Sequence, residues 1–294
     1  MLKKFFSLFQ KKGVPVSVNT APLSPEWLTA DQELNNEIFN IVSFTAQSIG
    51  KVRTTNEDSV YATSITAAGN HHQTNFGLFI VADGMGGHVN GEIASSAAVN
   101  TISTYVLDKL KPFIQNNNTQ TSNNESLQEL VQNAVHHAQE TILRVAPGAG
   151  TTLTMALVLN NQLTIGQIGD SRCYSYNNTG QLKLLTQDHS LVTRLVEIGH
   201  VSLEEAANHP QKHILYKALG QKGVLEADIE TIHLSRNSVL VLCSDGLWGQ
   251  VSDDAMASIL MNTPTLSEAA NKMVSMANSL GGPDNISLIL VKFL

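Results

Sequence analysis

The feature that most constrains the fold is a series of strand-length apolar runs joined mostly by short connections. The runs read IVSFTAQSI, SVYATSI, FGLFIVA, TTLTMALVL, QLTIGQI, SVLVLCS and ISLILVKF. Two longer helical patterns cover about 91–111 and 125–144, and shorter helices are predicted near 190–209, 253–261 and 266–280. Because the helices come in blocks rather than between every pair of strands, the pattern predicts an α+β protein with antiparallel sheets.

Composition limits what kind of protein this is. The chain has 294 residues, enough for one large domain or two small ones, and its formal net charge of −7 argues against a broad nucleic-acid interface. Cys173 and Cys243 both fall in apolar, strand-like runs, which predicts buried free thiols in a reducing compartment. Neither a membrane-spanning run nor a signal-peptide core is visible in the sequence, so we expect a cytoplasmic protein.

The first 40 residues differ from the rest and are predicted to be an N-terminal extension to a domain over 41–294. A Pro-, Ser- and Thr-rich stretch follows a short basic start. At helical spacing, that start sets apolar residues against lysines: Leu2, Phe5, Phe6 and Phe9 opposite Lys3, Lys4 and Lys11. Such a segment could contact an anionic membrane or a partner, or it could be a frayed terminus or a helix packed on its own domain.

Four aspartates mark the ends of the strand-like runs. Asp83, Asp170 and Asp245 each come directly after a run or its terminal glycine, and Asp284 comes just before the last run. Each is followed by Gly, Ser or Asn, so each alone would be read as a turn residue. If the last strand runs opposite to the others, however, all four carboxylates reach the same end of the sheets.

Carboxylates gathered in this way raise one another's pKa values and need cations to neutralise them. Hard cations such as Mg²⁺ or Mn²⁺ take carboxylate, carbonyl and water oxygens as ligands, so the pattern favours them over zinc. The histidine pairs at 71–72 and 136–137 lack metal-site spacing and are predicted to be surface residues. A second cluster, GKVRTTNEDS, carries Arg53, Glu57 and Asp58. Arg53 is either a phosphate-binding residue or the partner of those two acids in a surface ion pair.

With these residues in place, the chain resembles the PPM-type (2C-class) metal-dependent serine/threonine protein phosphatases, and more specifically their bacterial branch. The resemblance runs from about residue 42 to the C-terminus. It is carried by eight motifs in the family's order: GKVRTTNEDS, VADGMGGHVNGEIAS, GAGTTL, IGDSRCY, LTQDHSLV, HPQKHILYKALG, LCSDGLWGQVSD and GGPDNISLILV. The implied fold is an α-β-β-α sandwich of two antiparallel sheets flanked by helices.

The resemblance also implies a catalytic centre with two Mn²⁺ or Mg²⁺ ions and a possible third. Asp83 would bridge two ions and the Gly84 carbonyl would bind one of them. The other implied ligands complete the ion sites: Asp245 and Asp284 for the first ion, Asp58 and Glu57 for the second or its waters, and Asp170 with Asp245 for the third.

The implied reaction is hydrolysis of a phosphomonoester by a water that bridges the two ions. Arg53 would hold the phosphate, and a mobile flap over about 188–220 would border the site. Two departures from the family stand out. Met85 occupies the position at which many eukaryotic members carry a histidine proposed as general acid, and nearby His88 is read as a helix-start residue. The flap also carries Lys212 and His213 where a basic residue followed by Asn is more usual, so its substrate contacts are open.

Other phosphatase and hydrolase classes lack their required residues. A cysteine-dependent phosphatase needs Arg six residues after Cys, but Gly249 and Thr179 stand there, and no G-x-S-x-G elbow is present. The surviving alternatives are a phosphoprotein-binding or partner-switching module with little turnover, and an enzyme acting on a non-protein phosphomonoester. The expected partners are phosphorylated Ser/Thr proteins, among them a Ser/Thr kinase and its substrates, and the expected state is a monomer.

Overall fold

The computed structural model describes residues 39–68, 73–86, 89–114, 126–177, 179–207, 209–223 and 225–294, which form eleven strands and seven helices. The strands are β1 (Ile41–Ser48), β2 (Asp58–Ala68), β3 (Gln73–Met85), β4 (Gly150–Thr151), β5 (Leu153–Leu159), β6 (Gln162–Ile168), β7 (Arg172–Tyr176), β8 (Leu182–Leu184), β9 (Asp228–His233), β10 (Val239–Cys243) and β11 (Ile286–Phe293). The helices are α1 (Val89–Ile114), α2 (Leu127–Val145), α3 (Leu191–Glu197), α4 (Leu203–Ala207), α5 (Asp245–Trp248), α6 (Asp253–Met261) and α7 (Leu266–Ser279).

The strands form two antiparallel sheets that pack face to face. One sheet has the order β1-β11-β10-β7-β8, and the other has the order β2-β3-β5-β6-β9 with β4 paired to β3. Helices α1 and α2 cover the outer face of the β3 sheet, and α6 and α7 cover the outer face of the β11 sheet. The predicted α-β-β-α sandwich is therefore confirmed.

Strand β3 shows why the apolar runs lack clean alternation. Phe79 and Val81 point into the layer between the sheets, where they meet side chains of β10 and β11 such as Leu242 and Ile289. Leu78 and Ile80 point the other way and pack under α1 and α2. Because successive side chains of a strand alternate between faces and both faces are covered, the strand is apolar throughout.

The strand register brings five strand ends together at one end of the sandwich. In the first sheet, Cys243 pairs with Leu288 of β11 on one side and with Arg172 of β7 on the other. In the second sheet, the pairs Val81–Thr154 and Leu153–Ile168 set the end of β3 beside the end of β6. The last strand thus runs opposite to β10, which is the condition that the aspartate pattern required.

Phe39 and Asn40, the first residues that the structure describes, pack against residues 293–294, and the boundary predicted between residues 40 and 41 stays a prediction. Phe39 is 2% exposed and meets Phe293 edge to face, and Asn40 exchanges two backbone hydrogen bonds with Leu294. Residues 1–38 lie outside the described residues, so the roles considered for the extension stay predictions. None of the helices in the described ranges is long and apolar enough to cross a membrane.

We expect the layer between the sheets to dominate stability. Phe79→Ala removes a fully buried ring from the inter-sheet layer and should lower the free energy of unfolding by about 3–5 kcal/mol, through lost burial and the cavity left behind. Leu143→Ala, at a partly exposed position on α2, should cost less than about 1 kcal/mol. Urea denaturation monitored by circular dichroism measures both values, and equal losses would show that the inter-sheet layer has no special weight.

Candidate active site

Asp58 and Asp83 face each other across the first two strands of the β3 sheet. They are register partners, with Asp58 as the first residue of β2. The Ser244 hydroxyl donates to Asp58 Oδ2 at 2.8 Å, whereas Asp58 Oδ1 is buried without a hydrogen-bond partner. Burial, helped by repulsion from Asp245 and Asp284, raises the pKa of Asp58 to about 7 despite the lowering effect of nearby serine hydroxyls. The ionised carboxylate therefore lacks a compensating positive charge.

The backbone of Asp83 is fixed by two threonines, Thr151 in β4 and Thr152 directly after that strand. Asp83 lies inside β3, two residues before the strand ends, rather than after it. Its N–H donates to Thr152 Oγ1 at 2.9 Å, and its carbonyl accepts from the Thr152 N–H and from Thr151 Oγ1, both at 2.9 Å. Burial and repulsion from Asp58 and Asp245 raise the pKa of Asp83 well above its usual value. The pairing holds this carboxylate at the centre of the acidic cluster.

An arginine and a histidine, Arg53 and His213, lie beside the acids contributed by the other sheet. Asp284, two residues before β11, forms a 2.7 Å ion pair with Arg53, so Arg53 pairs with this aspartate rather than with Glu57 or Asp58. The hydrogen bond to Asp284 raises the pKa of Arg53 above its normal value. Asp245, the first residue of α5, lies 3.9 Å through Oδ2 from His213 Nδ1, while its Oδ1 is buried without a partner. The structure thus brings Arg53 and the flap residue His213 to the acidic cluster.

The turn between β6 and β7 carries Asp170 toward the same cluster. Asp170 is buried, and its carbonyl accepts a 2.9 Å hydrogen bond from the indole of Trp248 on α5. The guanidinium of Arg172 stacks 3.6 Å from the centre of that indole and binds both carboxylate oxygens of Asp188. Burial and repulsion from Asp245 and Asp188 raise the pKa of Asp170 to about 8.

Two glycines allow helix α1 to begin directly against the end of β3. A Cβ on Gly84 would lie 2.3 Å from the Gly91 carbonyl oxygen, and a Cβ on Gly91 would lie 2.2 Å from Glu57 Oε2. A side chain at residue 84 would push helix and strand apart, and one at residue 91 would displace the Glu57 carboxylate. Glu57 is held between them, and the Gly84 N–H donates to its carbonyl at 3.2 Å. His88 lies outside the described residues.

The donor set suits a hard cation, although it is not arranged as a finished site. No group of three or more His, Cys, Asp or Glu side chains in the described ranges is already positioned to hold a metal ion. Even so, burial and repulsion from neighbouring carboxylates raise the pKa values of Asp58, Asp83 and Asp170, and two buried oxygens of the cluster, on Asp58 and Asp245, lack partners. A cation bound by carboxylate and carbonyl oxygens would satisfy both needs.

His136 and His137 are exposed on α2, as expected for surface residues, and residues 71–72 lie outside the described ranges.

Several residues that the sequence interpretation did not single out position this cluster. Asn285 accepts from the Glu57 N–H at 2.8 Å and donates to the Ile49 and Thr55 carbonyls, both at 2.9 Å, so it shapes the loop that carries Arg53. Thr152 and Ser244 also belong to this set. All three lie inside the quoted motifs, which is the signal that could have identified them.

The fold and the cluster together define the class of protein. Two packed antiparallel sheets, flanked by helices and carrying a shared acidic end with an arginine at its rim, are the architecture of a metal-dependent phosphatase. The chain belongs to the protein phosphatase 2C family, whose model matches residues 54–282. The family predicted from the sequence, and with it a serine/threonine phosphatase, is confirmed.

Known relatives and solved structures agree with this assignment. The serine/threonine phosphatase Stp of Listeria monocytogenes is 38% identical over 231 residues, which cover 76% of this chain and 90% of that protein. The serine/threonine phosphatase of S. agalactiae superposes with a TM-score of 0.72 at 29% identity, covering 86% of this chain and 99% of that one. The catalytic domain of the phosphatase PstP, solved in complex with two manganese ions, has a TM-score of 0.69 at 29% identity, covering 87% and 99%.

The raised pKa values give the metal-free protein an unusual pH dependence. Because Asp58 and Asp170 have folded pKa values of about 7 and about 8, the folded chain keeps protons that the unfolded chain releases near pH 4. The free energy of unfolding in EDTA should therefore fall as pH rises from about 5.5 to about 8.5. Urea titrations at several pH values measure this slope.

Two controls make the assignment specific. Asp170→Asn should flatten the slope because it removes one of the two groups, whereas Asp108→Asn, at an exposed position on α1, should leave the slope unchanged. A level or rising stability curve for the metal-free wild type would contradict the inferred cluster.

Proposed function

We propose that this chain hydrolyses phosphoserine and phosphothreonine monoesters in proteins and that Mn²⁺ or Mg²⁺ binds at the acidic end of the sandwich. Six groups would hold the ions: the carboxylates of Asp58, Asp83, Asp170, Asp245 and Asp284, and the carbonyl of Gly84. The observation that carries the proposal is the pair of buried, unpartnered oxygens, Asp58 Oδ1 and Asp245 Oδ1, contributed by opposite sheets to one cluster. Glu57, half-buried beside Gly91, would act on water at the edge of the site.

Bound divalent cations supply an activated water near neutral pH and positive charge for the phosphoryl oxygens. The protein supplies their placement. Thr152 fixes the Asp83 backbone from both sides, and Ser244 orients Asp58. Because Thr152 and Ser244 directly follow β4 and β10, these contacts hold the carboxylates in place before substrate arrives, which lowers the cost of organising the site.

Arg53 would bind the phosphate of the substrate. Its side chain is 50% exposed and one Nη group donates to Asp284, which orients the guanidinium. Within the described part of the chain its other N–H groups make no hydrogen bond, so they can meet an incoming anion. The guanidinium is planar and always charged, which suits it to phosphoryl oxygens and to the charge that develops on them during transfer.

The proton for the departing serine or threonine oxygen would come from water. Met85 pairs with Gly150 at the junction of β3 and β4 and offers no titratable group. Since a water at the acidic centre can donate this proton, no side-chain general acid at residue 85 is required.

The cellular setting follows from the same chemistry. A bacterial Ser/Thr kinase and its targets are the natural source of the substrates, and the protein acts as a cytoplasmic monomer. Buried, reduced thiols at Cys173 and Cys243 support a reducing compartment. Light scattering should give a mass near 31.7 kDa, and an autophosphorylated kinase domain should lose phosphate in the presence of Mn²⁺.

The central test is metal-dependent turnover. The wild-type chain should release phosphate from a phosphothreonine peptide with Mn²⁺ and not with EDTA. Asp245→Asn should lower kcat/KM by at least about 100-fold, because a preorganised charge-stabilising group is lost. Asp108→Asn on the outer helix serves as the matched control and should keep wild-type activity.

The same assay separates the alternatives. A partner-switching module would bind the phosphopeptide without turnover, and Asp245→Asn would then change nothing. An enzyme for small phosphomonoesters would hydrolyse phosphorylated metabolites faster than phosphopeptides in a side-by-side comparison.

Arg53 makes a second, independent prediction. Arg53→Ala should reduce kcat/KM by about 10- to 100-fold, the cost of one charge-assisted contact with phosphate. The melting temperature should change little, because the ion pair with Asp284 is exposed to solvent. Arg53→Lys should keep more activity than Arg53→Ala. The control Lys183→Ala, on edge strand β8, should leave kcat/KM unchanged. Full activity of Arg53→Ala would show that Arg53 does not bind the substrate phosphate.

A further inference from the structure

The two ends of the flap, residues 188–220, are joined by a short antiparallel pairing. The Leu191 N–H donates to the Ile214 carbonyl at 2.7 Å, and the Tyr216 N–H donates to the His189 carbonyl at 3.0 Å. The rings of His189 and Tyr216 lie 5.5 Å apart. The flap therefore leaves the domain and returns to it at one place, which we call the flap base.

His189 connects the flap base to the turn that carries Asp170. Its side chain is 1% exposed. The ring Nδ1 accepts a hydrogen bond from the Gly169 N–H at 3.1 Å, and the backbone N–H of His189 donates to the Gly169 carbonyl at 2.9 Å. Gly169 immediately precedes Asp170, so one histidine binds both polar groups of the residue before the acid.

The other nitrogen of His189 ties in the returning end of the flap. Because Nδ1 accepts a hydrogen bond, the proton of the neutral ring sits on Nε2, which lies 3.0 Å from Asp228 Oδ2. The second oxygen of Asp228, the first residue of β9, lies 2.5 Å from Lys217 Nζ at the end of the flap. Burial opposes ionisation of Asp228, but the hydrogen bonds from His189 and Lys217 hold its pKa well below the usual value. Asp228 thus links the start of the flap to its end.

The turn that His189 binds is closely confined. Gly169 has φ +94°, and a Cβ there would lie 2.7 Å from Thr152 Cγ2. Thr152 is the residue that holds the Asp83 backbone, and its hydroxyl also lies 2.7 Å from that of Ser171. A shift of the Gly169 peptide would therefore move Asp170 and would bring Gly169 against Thr152, which holds the Asp83 backbone.

We infer that His189 is a positioning residue that holds two elements at once, the turn that carries Asp170 and the base of the flap. The two ring nitrogens act on different elements. Nδ1 orients the Gly169–Asp170 turn, and Nε2 holds the flap base through Asp228. The effect on metal binding rests on the proposed role of Asp170 as a ligand, whereas the positioning of the turn and of the flap base stands on the hydrogen bonds alone.

Two substitutions separate the two nitrogens. In His189→Asn the amide oxygen occupies roughly the place of Nδ1, so it can still accept from the Gly169 N–H but cannot reach Asp228. In His189→Gln the amide reaches the position of Nε2 and Asp228 but leaves the Gly169 N–H without its acceptor. Both variants lose the buried ring, so a purely structural role for His189 would affect them alike.

The first readout is amide hydrogen exchange of the metal-free protein. In His189→Gln, peptides covering 166–171 should exchange about tenfold faster than in the wild type, the effect of losing roughly one buried hydrogen bond. In His189→Asn those peptides should stay close to wild type, while flap peptides covering 190–207 exchange faster. Equal exchange of the turn in the two variants, or no change in either, would overturn the inference.

The second readout is Mn²⁺ binding, measured by calorimetry on the full chain. Asp170→Asn should abolish the weakest binding event, and His189→Gln should weaken that event about 10- to 100-fold, as loss of a supporting hydrogen bond commonly does. For His189→Asn the affinity should stay within about threefold of wild type, because the amide oxygen still accepts from the Gly169 N–H. Wild-type binding by His189→Gln alongside loss in Asp170→Asn would overturn the inferred role of His189 in placing Asp170.

If Asp170→Asn binds Mn²⁺ as the wild type does, the ligand role of Asp170 in the proposed function fails instead. The exchange experiment then still decides whether His189 positions the turn through one nitrogen and the flap base through the other.

Discussion

Repulsion between carboxylates is the interaction on which the rest of the structure depends. Both sheets direct acidic residues to one shared end, where Asp58, Asp83 and Asp170 all have raised pKa values because burial and neighbouring charges oppose ionisation. A fold selected only for stability would disperse these charges or replace them with neutral residues. The sandwich instead surrounds them with a supporting framework of Thr152, Ser244 and other uncharged hydrogen-bonding groups, which fixes their positions without neutralising them.

Much of the architecture could be predicted because its signals are local. Strand β6 matches the run QLTIGQI residue for residue, and α1 and α2 lie where the helical patterns placed them. Strands β8 and β9 were not predicted, because edge strands with exposed residues need no apolar run. The shared location of the aspartates followed from one condition, the direction of β11, and that condition holds.

The contacts that organise the site were beyond sequence reasoning, because they join residues far apart in the chain. The sequence offered Glu57 and Asp58 as the partners of Arg53, and only the approach of the loop before β11 supplies Asp284 instead. In the same way, nothing in the DHS tripeptide shows that the two nitrogens of His189 bind different elements. Family motifs could mark such residues as important, but the atoms they contact are fixed by packing.

The separation of these contacts along the chain has a consequence for biosynthesis. The bonds Arg53–Asp284, Glu57–Asn285 and Asp58–Ser244 span 231, 228 and 186 residues. Since contacts between distant residues form late, after the cost of closing long loops has been met, the centre cannot take shape while the last strand is still being synthesised. A nascent or truncated chain that ends before residue 284 lacks one acid and the segment that orients the arginine. Such a partial product therefore lacks the contacts that assemble the acidic cluster.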